Sequence, residues 1–113
     1  MKPNKIKRTL KEGGTVIGTM AFEFCTPGIA RLSAEAGAEF IMYDMEHTGW
    51  SVETIRDLIA TTNPDHIEPL VRVPATQYHF IARVLDVGAR GIMVPMVSDA
   101  RQAEIESGHR VGR

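Results

Sequence analysis

The sequence predicts an α/β chain built on one parallel sheet. Three observations carry that expectation. Strand-like apolar runs alternate with amphipathic helical patterns along the chain. The apolar run Phe40-Ile41-Met42-Tyr43 leads straight into Asp44-Met45-Glu46-His47. A buried parallel strand that ends in a functional loop has that pattern. Capping and breaking residues, such as Ser51 and Asn63-Pro64, fall between the two kinds of segment.

The elements follow in order. Asn4 to Glu12 predicts a short charged helix, ended by Gly13-Gly14. Thr15 to Phe24 predicts the first strand, with Val16, Ile17, Met20 and Phe22 as its apolar bulk. Thr26 is the expected N-cap of the next helix, with Pro27 at its first position. That helix carries Ile29, Ala30, Leu32, Ala34 and Ala36 and stops at Gly37. Glu39 to Asp44 predicts the second strand.

Ser51 caps a helix whose buried stripe is Val52, Ile55, Leu58 and Ile59. Thr54 stands where a full capping box would place Glu or Gln. Ile67 to Val73 predicts the third strand; Pro69 is awkward in a central strand and tolerable near its start. Gln77 to Val87 predicts a helix with Phe80, Ile81, Val84 and Leu85 at core spacing, closed by Gly88. Ala89 to Val97 predicts the fourth strand, and Ser98 to Glu106 a last helix before a short basic tail.

Four βα units with right-handed crossovers allow two architectures. One is a small open doubly wound sheet. The other is half of a (β/α)8 barrel, which needs about 250 residues when whole. Neither G-x-G-x-x-G nor a P-loop is present, and Gly13-Gly14 precedes the first strand rather than following it.

The chain has 113 residues, enough for one domain, with 13 Lys+Arg against 14 Asp+Glu and a net charge of -1. That balance gives no electrostatic case for nucleic acid or an anionic membrane. No apolar run approaches the ~18 residues of a membrane span. The basic start, Lys2 to Lys11, has no apolar core of a secretory signal. Cys25, the one cysteine, is expected as a small, partly buried residue, and a cytoplasmic, reducing compartment fits.

His47 is the first candidate for chemistry. An imidazole near neutral pKa suits proton transfer; the residues alone equally allow a polar loop histidine. Arg72 ends the third strand. A permanent guanidinium there can stabilise an oxyanion, or pair with Asp44 or Glu46, or do both. Asp44 is placed to orient His47 or Arg72. Glu46 can do likewise, or reach a metal-bound water. Tight spacing in a strand-to-loop run does not converge three side chains on one ion, so Asp44, Glu46 and His47 are not expected to ligate a metal directly. His66, His79 and His109 are expected at the surface. Trp50, in the loop after His47, either lines the site's entrance or packs. Every lysine lies in the leading segment, which argues against Schiff-base chemistry.

Four ordered segments resemble one family. They are Asp44-Met45-Glu46-His47, Pro69-Leu70-Val71-Arg72-Val73-Pro74, Leu85-Asp86-Val87-Gly88-Ala89 and Gly91-Ile92-Met93-Val94-Pro95-Met96-Val97. Their order and spacing are similar to the HpcH/HpaI aldolase/citrate lyase superfamily, the metal-dependent class II pyruvate aldolases. The resemblance covers about Gly14 to Ala103, within a single partial domain spanning 1–113. It implies the first half of a (β/α)8 TIM barrel, apparently truncated.

The implied reaction is reversible retro-aldol cleavage of a 4-hydroxy-2-oxo acid to pyruvate and an aldehyde. The resemblance gives His47 the role of catalytic base and Arg72 that of transition-state stabiliser. It pairs Asp86 with the catalytic histidine. Asp86 is expected at the far end of its helix, so that role requires a neighbouring subunit's site. The resemblance also implies a divalent cofactor (Mg2+, Mn2+ or Co2+) whose Glu and Asp ligands come from later strands, beyond this chain. The implied partners are a small 2-oxo acid, and either further copies in a homo-oligomer or a missing half barrel. The competing expectation is a catalytically inactive half barrel that serves as an assembly module.

Overall fold

A computed structural model describes residues 3–95 together with 100 and 101. The elements are α1 (Lys5–Lys11), β1 (Gly18–Ala21), α2 (Ile29–Glu35), β2 (Phe40–Asp44), α3 (Val52–Ala60), β3 (Glu68–Arg72), α4 (Tyr78–Asp86) and β4 (Gly91–Met93). The four strands form one sheet in the order β1-β2-β3-β4, every pair parallel. Sequential parallel strands joined by helices are the repeating unit of a (β/α)8 barrel. The fold is thus the α/β half barrel expected from the resemblance, not the doubly wound sheet, whose order reverses at a switch point.

The two faces of the sheet carry different residues, as a period of two demands. Ile41, Tyr43, Val71 and Val73 face the helices and form one core with Ile55, Leu58 and Ile59 of α3 and Ile81 and Val84 of α4. The opposite face carries Phe40, Met42 and Asp44 of β2 and Glu68, Leu70 and Arg72 of β3. Glycines on the outer strands make room on that face. A Cβ at Gly18 would collide with the Phe40 ring, and one at Gly91 would lie 2.7 Å from Leu70 Cδ2. Tyr43 buries its hydroxyl by donating to Thr62 Oγ1 at 2.6 Å, and Thr62 in turn donates to the Leu58 carbonyl. Burial raises the Tyr43 pKa above its ordinary value.

Pro69 sits inside β3, between two neighbours, and its place explains why it is accepted. Its carbonyl takes the Arg90 N–H at 2.8 Å, and β4 begins only at Gly91. No β4 residue therefore stands where the missing proline donor would need an acceptor.

Several boundaries differ from the sequence reading. Thr26 is not the cap of α2: Gly28 is, at φ 103°, with no side-chain capping bond. Thr26 instead offers its carbonyl to the Ile29 N–H at 3.1 Å, closing a turn ahead of the helix. The first strand contracts from 15–24 to Gly18–Ala21, because it is an edge with only β2 to pair with. Of the predicted fourth strand, Gly91–Met93 is strand, while Ala89, Arg90, Val94 and Pro95 are not. Cys25 is exposed rather than partly buried. Ala100 and Arg101 are helical. The rest of the predicted last helix, the tail with His109, and Met96 and Val97 lie outside the described residues.

Gly88 ends α4 at φ +114°, and an added Cβ would stand 3.0 Å from Ile59 Cγ2. Gly88→Ala is expected to cost about 1–2 kcal/mol, from the left-handed backbone and the contact together. A lowered urea midpoint with an unchanged slope is the expected reading, and an unchanged midpoint would show that the turn relaxes freely.

Candidate active site

The register places the central pair. Asp44 and Arg72 are direct partners across β2 and β3, both on the face away from the helices. The ladder extends one step beyond the strands, with Met45 N–H donating to the Arg72 carbonyl at 2.8 Å. The two side chains therefore leave the sheet together, at its carboxyl end. Arg72 grips Asp44 with both prongs: Nε donates to Oδ1 at 2.9 Å and Nη2 to Oδ2 at 2.8 Å. That bidentate geometry is the strong form of the contact.

Asp44 also shapes the loop that follows. Its Oδ1 accepts the Glu46 N–H at 2.8 Å and the His47 N–H at 3.4 Å. Thr48 Oγ1 donates back to the Asp44 carbonyl at 2.6 Å and accepts the Trp50 N–H at 3.2 Å. The chain after β2 is thereby wound around one carboxylate, which brings His47 round to Arg72. The Asp44 side chain is fully buried. Arg72 beside it, first through hydrogen bonding, holds its carboxyl at about 2 against the burial that would raise it. The same carboxylate holds the guanidinium more firmly protonated than usual.

His47 completes the cluster. Arg72 Nη2 lies 2.9 Å from His47 Nδ1. A guanidinium only donates, so Nδ1 accepts and the neutral ring carries its proton on Nε2. Asp44 Oδ2 and Glu46 Oε1 stand 3.6 Å and 3.7 Å from the same Nδ1. Glu46 Oε1 is also 3.4 Å from Arg72 Nε. The His47 side chain is 66% exposed, against 21% for Arg72, so the imidazole is the part of the cluster open to an arriving molecule.

Of the residues singled out from the sequence, Asp44, Glu46, His47 and Arg72 thus meet. Asp86 does not join them. It is the last residue of α4 and is exposed, at the end of the sheet where strands begin. Trp50 packs against the core, and His66 and His79 are exposed. Thr48 was not singled out, although its place four residues after Asp44, in a polar loop, is the signal for such a back-bond. Also unforeseen is a pair at the opposite end of the sheet. Arg90 Nε donates to Glu68 Oε2 at 3.0 Å, while Glu68 Oε1 is buried with no hydrogen-bond partner among the described residues. A carboxylate inside a strand pattern, followed one βα unit later by arginine, was its signal.

The donor set does not suit a divalent cation. No three His, Cys, Asp or Glu residues converge among the described residues. Both Asp44 oxygens are engaged by Arg72, and the Glu46 carboxylate leans on the same guanidinium. A cation there would compete with a fixed positive charge. No helix of the described residues is long and apolar enough to cross a membrane.

Four sequential parallel βα units whose strand ends gather a carboxylate, a guanidinium and an imidazole define an α/β half barrel with a polar cluster at its mouth, and the comparisons with known proteins say which family it is. The sequence profile of HpcH/HpaI aldolase/citrate lyase matches residues 23–107. The hydroxypyruvate/pyruvate aldolase of Roseobacter denitrificans is 34% identical over 101 residues, which are 89% of this chain and 39% of that protein. The crystal structure of an HpcH/HpaI aldolase from Desulfitobacterium hafniense superposes with a TM-score of 0.80 at 34% identity, covering 87% of this chain and 38% of that one. The citrate synthase SbnG superposes with a TM-score of 0.82 at 36% identity, covering 92% and 42%. The chain belongs to the HpcH/HpaI aldolase/citrate lyase family. It spans about two-fifths of the length of the curated relatives it matches.

Proposed function

We propose that this chain carries the Arg72–His47 half of an aldolase site that cleaves a 4-hydroxy-2-oxo acid to pyruvate and an aldehyde. The single observation that carries the reading is the shared Arg72 Nη2, bonded at once to Asp44 Oδ2 and His47 Nδ1. Retro-aldol cleavage removes a proton from the 4-hydroxyl, breaks the C3–C4 bond and leaves an enolate on the pyruvyl fragment. A guanidinium held by a buried carboxylate is preorganised to stabilise that oxygen. When Nη2 turns to the substrate oxygen, the Nδ1 lone pair of His47 is released, and a nearby base appears as the oxyanion stabiliser engages. Asp44 positions both groups and touches neither reacting atom. The reading is supported further by the aldolase names of the curated relatives. A divalent cofactor is part of the family reading, and its ligands are assigned to none of the described residues.

A pyruvate-release assay coupled to a nicotinamide-linked reductase tests this, with a 4-hydroxy-2-oxo acid, with and without Mn2+ or Mg2+. Turnover that EDTA abolishes supports the reading. A folded chain with no turnover favours the inactive half barrel. Given turnover, His47→Ala is expected to lower it at least ~100-fold without changing the urea midpoint. Retained rate in that variant would remove His47 from the chemistry.

A further inference from the structure

Three charged groups among the described residues face the His47 ring. They are Asp44 at the end of β2, Glu46 in the loop that follows it and Arg72 at the end of β3. Two carboxylates thus surround one guanidinium. The cluster carries one negative charge in excess while the imidazole is neutral, and none once the ring is protonated. The excess falls on Glu46. Asp44 is fully buried and spends both oxygens on Arg72. Glu46 Oε1 stands 3.4 Å from Arg72 Nε, whose single proton already goes to Asp44 Oδ1 at 2.9 Å. The Glu46 carboxylate accepts no hydrogen bond among the described residues, yet it lies 3.7 Å from His47 Nδ1. While Nδ1 accepts from Arg72 Nη2, that nitrogen has no proton to give it.

We propose that Glu46 is a positioning residue that receives the Nδ1–H of His47 once the ring has taken up a proton, replacing Arg72 as the partner of that nitrogen. In the aldolase reading, on which this role rests, the 4-hydroxyl proton passes to Nδ1. The C3–C4 electron pair stays on the pyruvyl fragment as the enolate, and the ring becomes an imidazolium. Arg72 is then engaged by the enolate oxygen and, as a cation, repels the new charge. A movement of about 1 Å brings Glu46 Oε1 from 3.7 Å to hydrogen-bond length of Nδ1. Asp44 Oδ2 is as near, at 3.6 Å, but it is the oxygen that holds Arg72 Nη2 in place. The proton stays on Nδ1, held by Glu46, until the enolate carbon or water takes it. That transfer restores the neutral ring and its bond from Arg72. Glu46 touches no reacting atom; it acts through His47.

Nitrogen NMR shifts of the His47 ring, recorded on the full chain across a range of pH, measure how much of the imidazole is protonated without substrate or turnover. Glu46→Gln keeps the size of the side chain and removes its charge. It is expected to lower the ratio of protonated to neutral His47 at least ~2-fold wherever both forms are present, the size of effect a partly exposed ion pair has. The neutral ring is expected to keep its proton on Nε2 in both chains. An unchanged ratio would overturn the proposal, because the imidazolium would then be held without Glu46. Should the variant not fold, the acidified unmodified chain decides. Its His47 Nδ1 proton is expected to show an Overhauser contact with the Glu46 methylene protons, and a ring proton lacking that contact would sink the arrangement. Where pyruvate release is measurable, Glu46→Gln is expected to lower kcat by a similar factor with KM unchanged. A loss confined to KM would make Glu46 a binding group instead. The two readings fail separately. A falling ratio in a chain without turnover keeps Glu46 as the partner of Nδ1 and removes the aldolase step, whereas turnover with an unmoved ratio does the reverse.

Discussion

Arg72→Ala is expected to unfold at markedly lower urea than the unmodified chain and to lose at least ~100-fold in any pyruvate release. The two effects have one origin. Asp44 is fully buried and spends both oxygens on Arg72. Removing the guanidinium leaves a buried carboxylate with only the backbone donors of Glu46 and His47. Breaking such a pair from one side costs about 3–5 kcal/mol when it is wholly desolvated. Water reaches the Arg72 side chain, which is 21% exposed, so the lower end applies. Arg72→Lys separates the two consequences. A lysine keeps the charge but not the two-pronged fork, and a single ammonium cannot serve Asp44 Oδ1, Asp44 Oδ2 and His47 Nδ1 together. It is expected to regain part of the stability and little of the rate. An Arg72→Lys variant with full rate would show that only the charge matters, and an Arg72→Ala variant with an unshifted midpoint would show that the pair is structurally idle.

The legible parts of this fold were those written in local chemistry. Ser51 accepts the Thr54 N–H at 3.2 Å, as its position before Val52 announces. The apolar run and the Asp44 that ends it form a strand buried at four of its five positions. The Asp44–Arg72 proximity was legible as a choice, since both residues end adjacent predicted strands. What resolved the choice was register, and register is a property of two segments together, absent from either one. The same limit hid the Glu68–Arg90 pair. The first strand was overcalled because apolar content sets a strand's potential length and the available partner sets its actual one. Thr26-Pro27 carries a good capping signal, but Gly28 allows a turn that moves the helix start two residues on. Half or whole barrel was not a local matter at all. The resemblance carried that, through four segments whose order matters more than any one of them.

Asp44→Asn is expected to lower stability at neutral pH and to change how stability depends on acid. Asp44 titrates at about 2 in the folded chain, against an ordinary value of 3.8. It therefore binds its proton more weakly folded than unfolded. The stability it contributes is present in full above its unfolded value, falls as the pH drops below that value, and is lost once the folded carboxyl itself is protonated. A shift of this size corresponds to about 2.5 kcal/mol at most, and to about 1–2 kcal/mol once the water at Arg72 is allowed for. Asparagine carries no charge at any pH and offers one acceptor oxygen where the carboxylate offers two. The variant should thus be weaker than the unmodified chain at pH 7, and the gap should close as the pH is taken from about 5 toward 2. Urea midpoints at several pH values across that window measure it directly. A gap of constant size would mean that shape and hydrogen-bond count, not the charge pair, are what Asp44 supplies. A gap that closes would identify the Asp44–Arg72 pair as the element that couples the geometry of the site to the folding of the sheet beneath it.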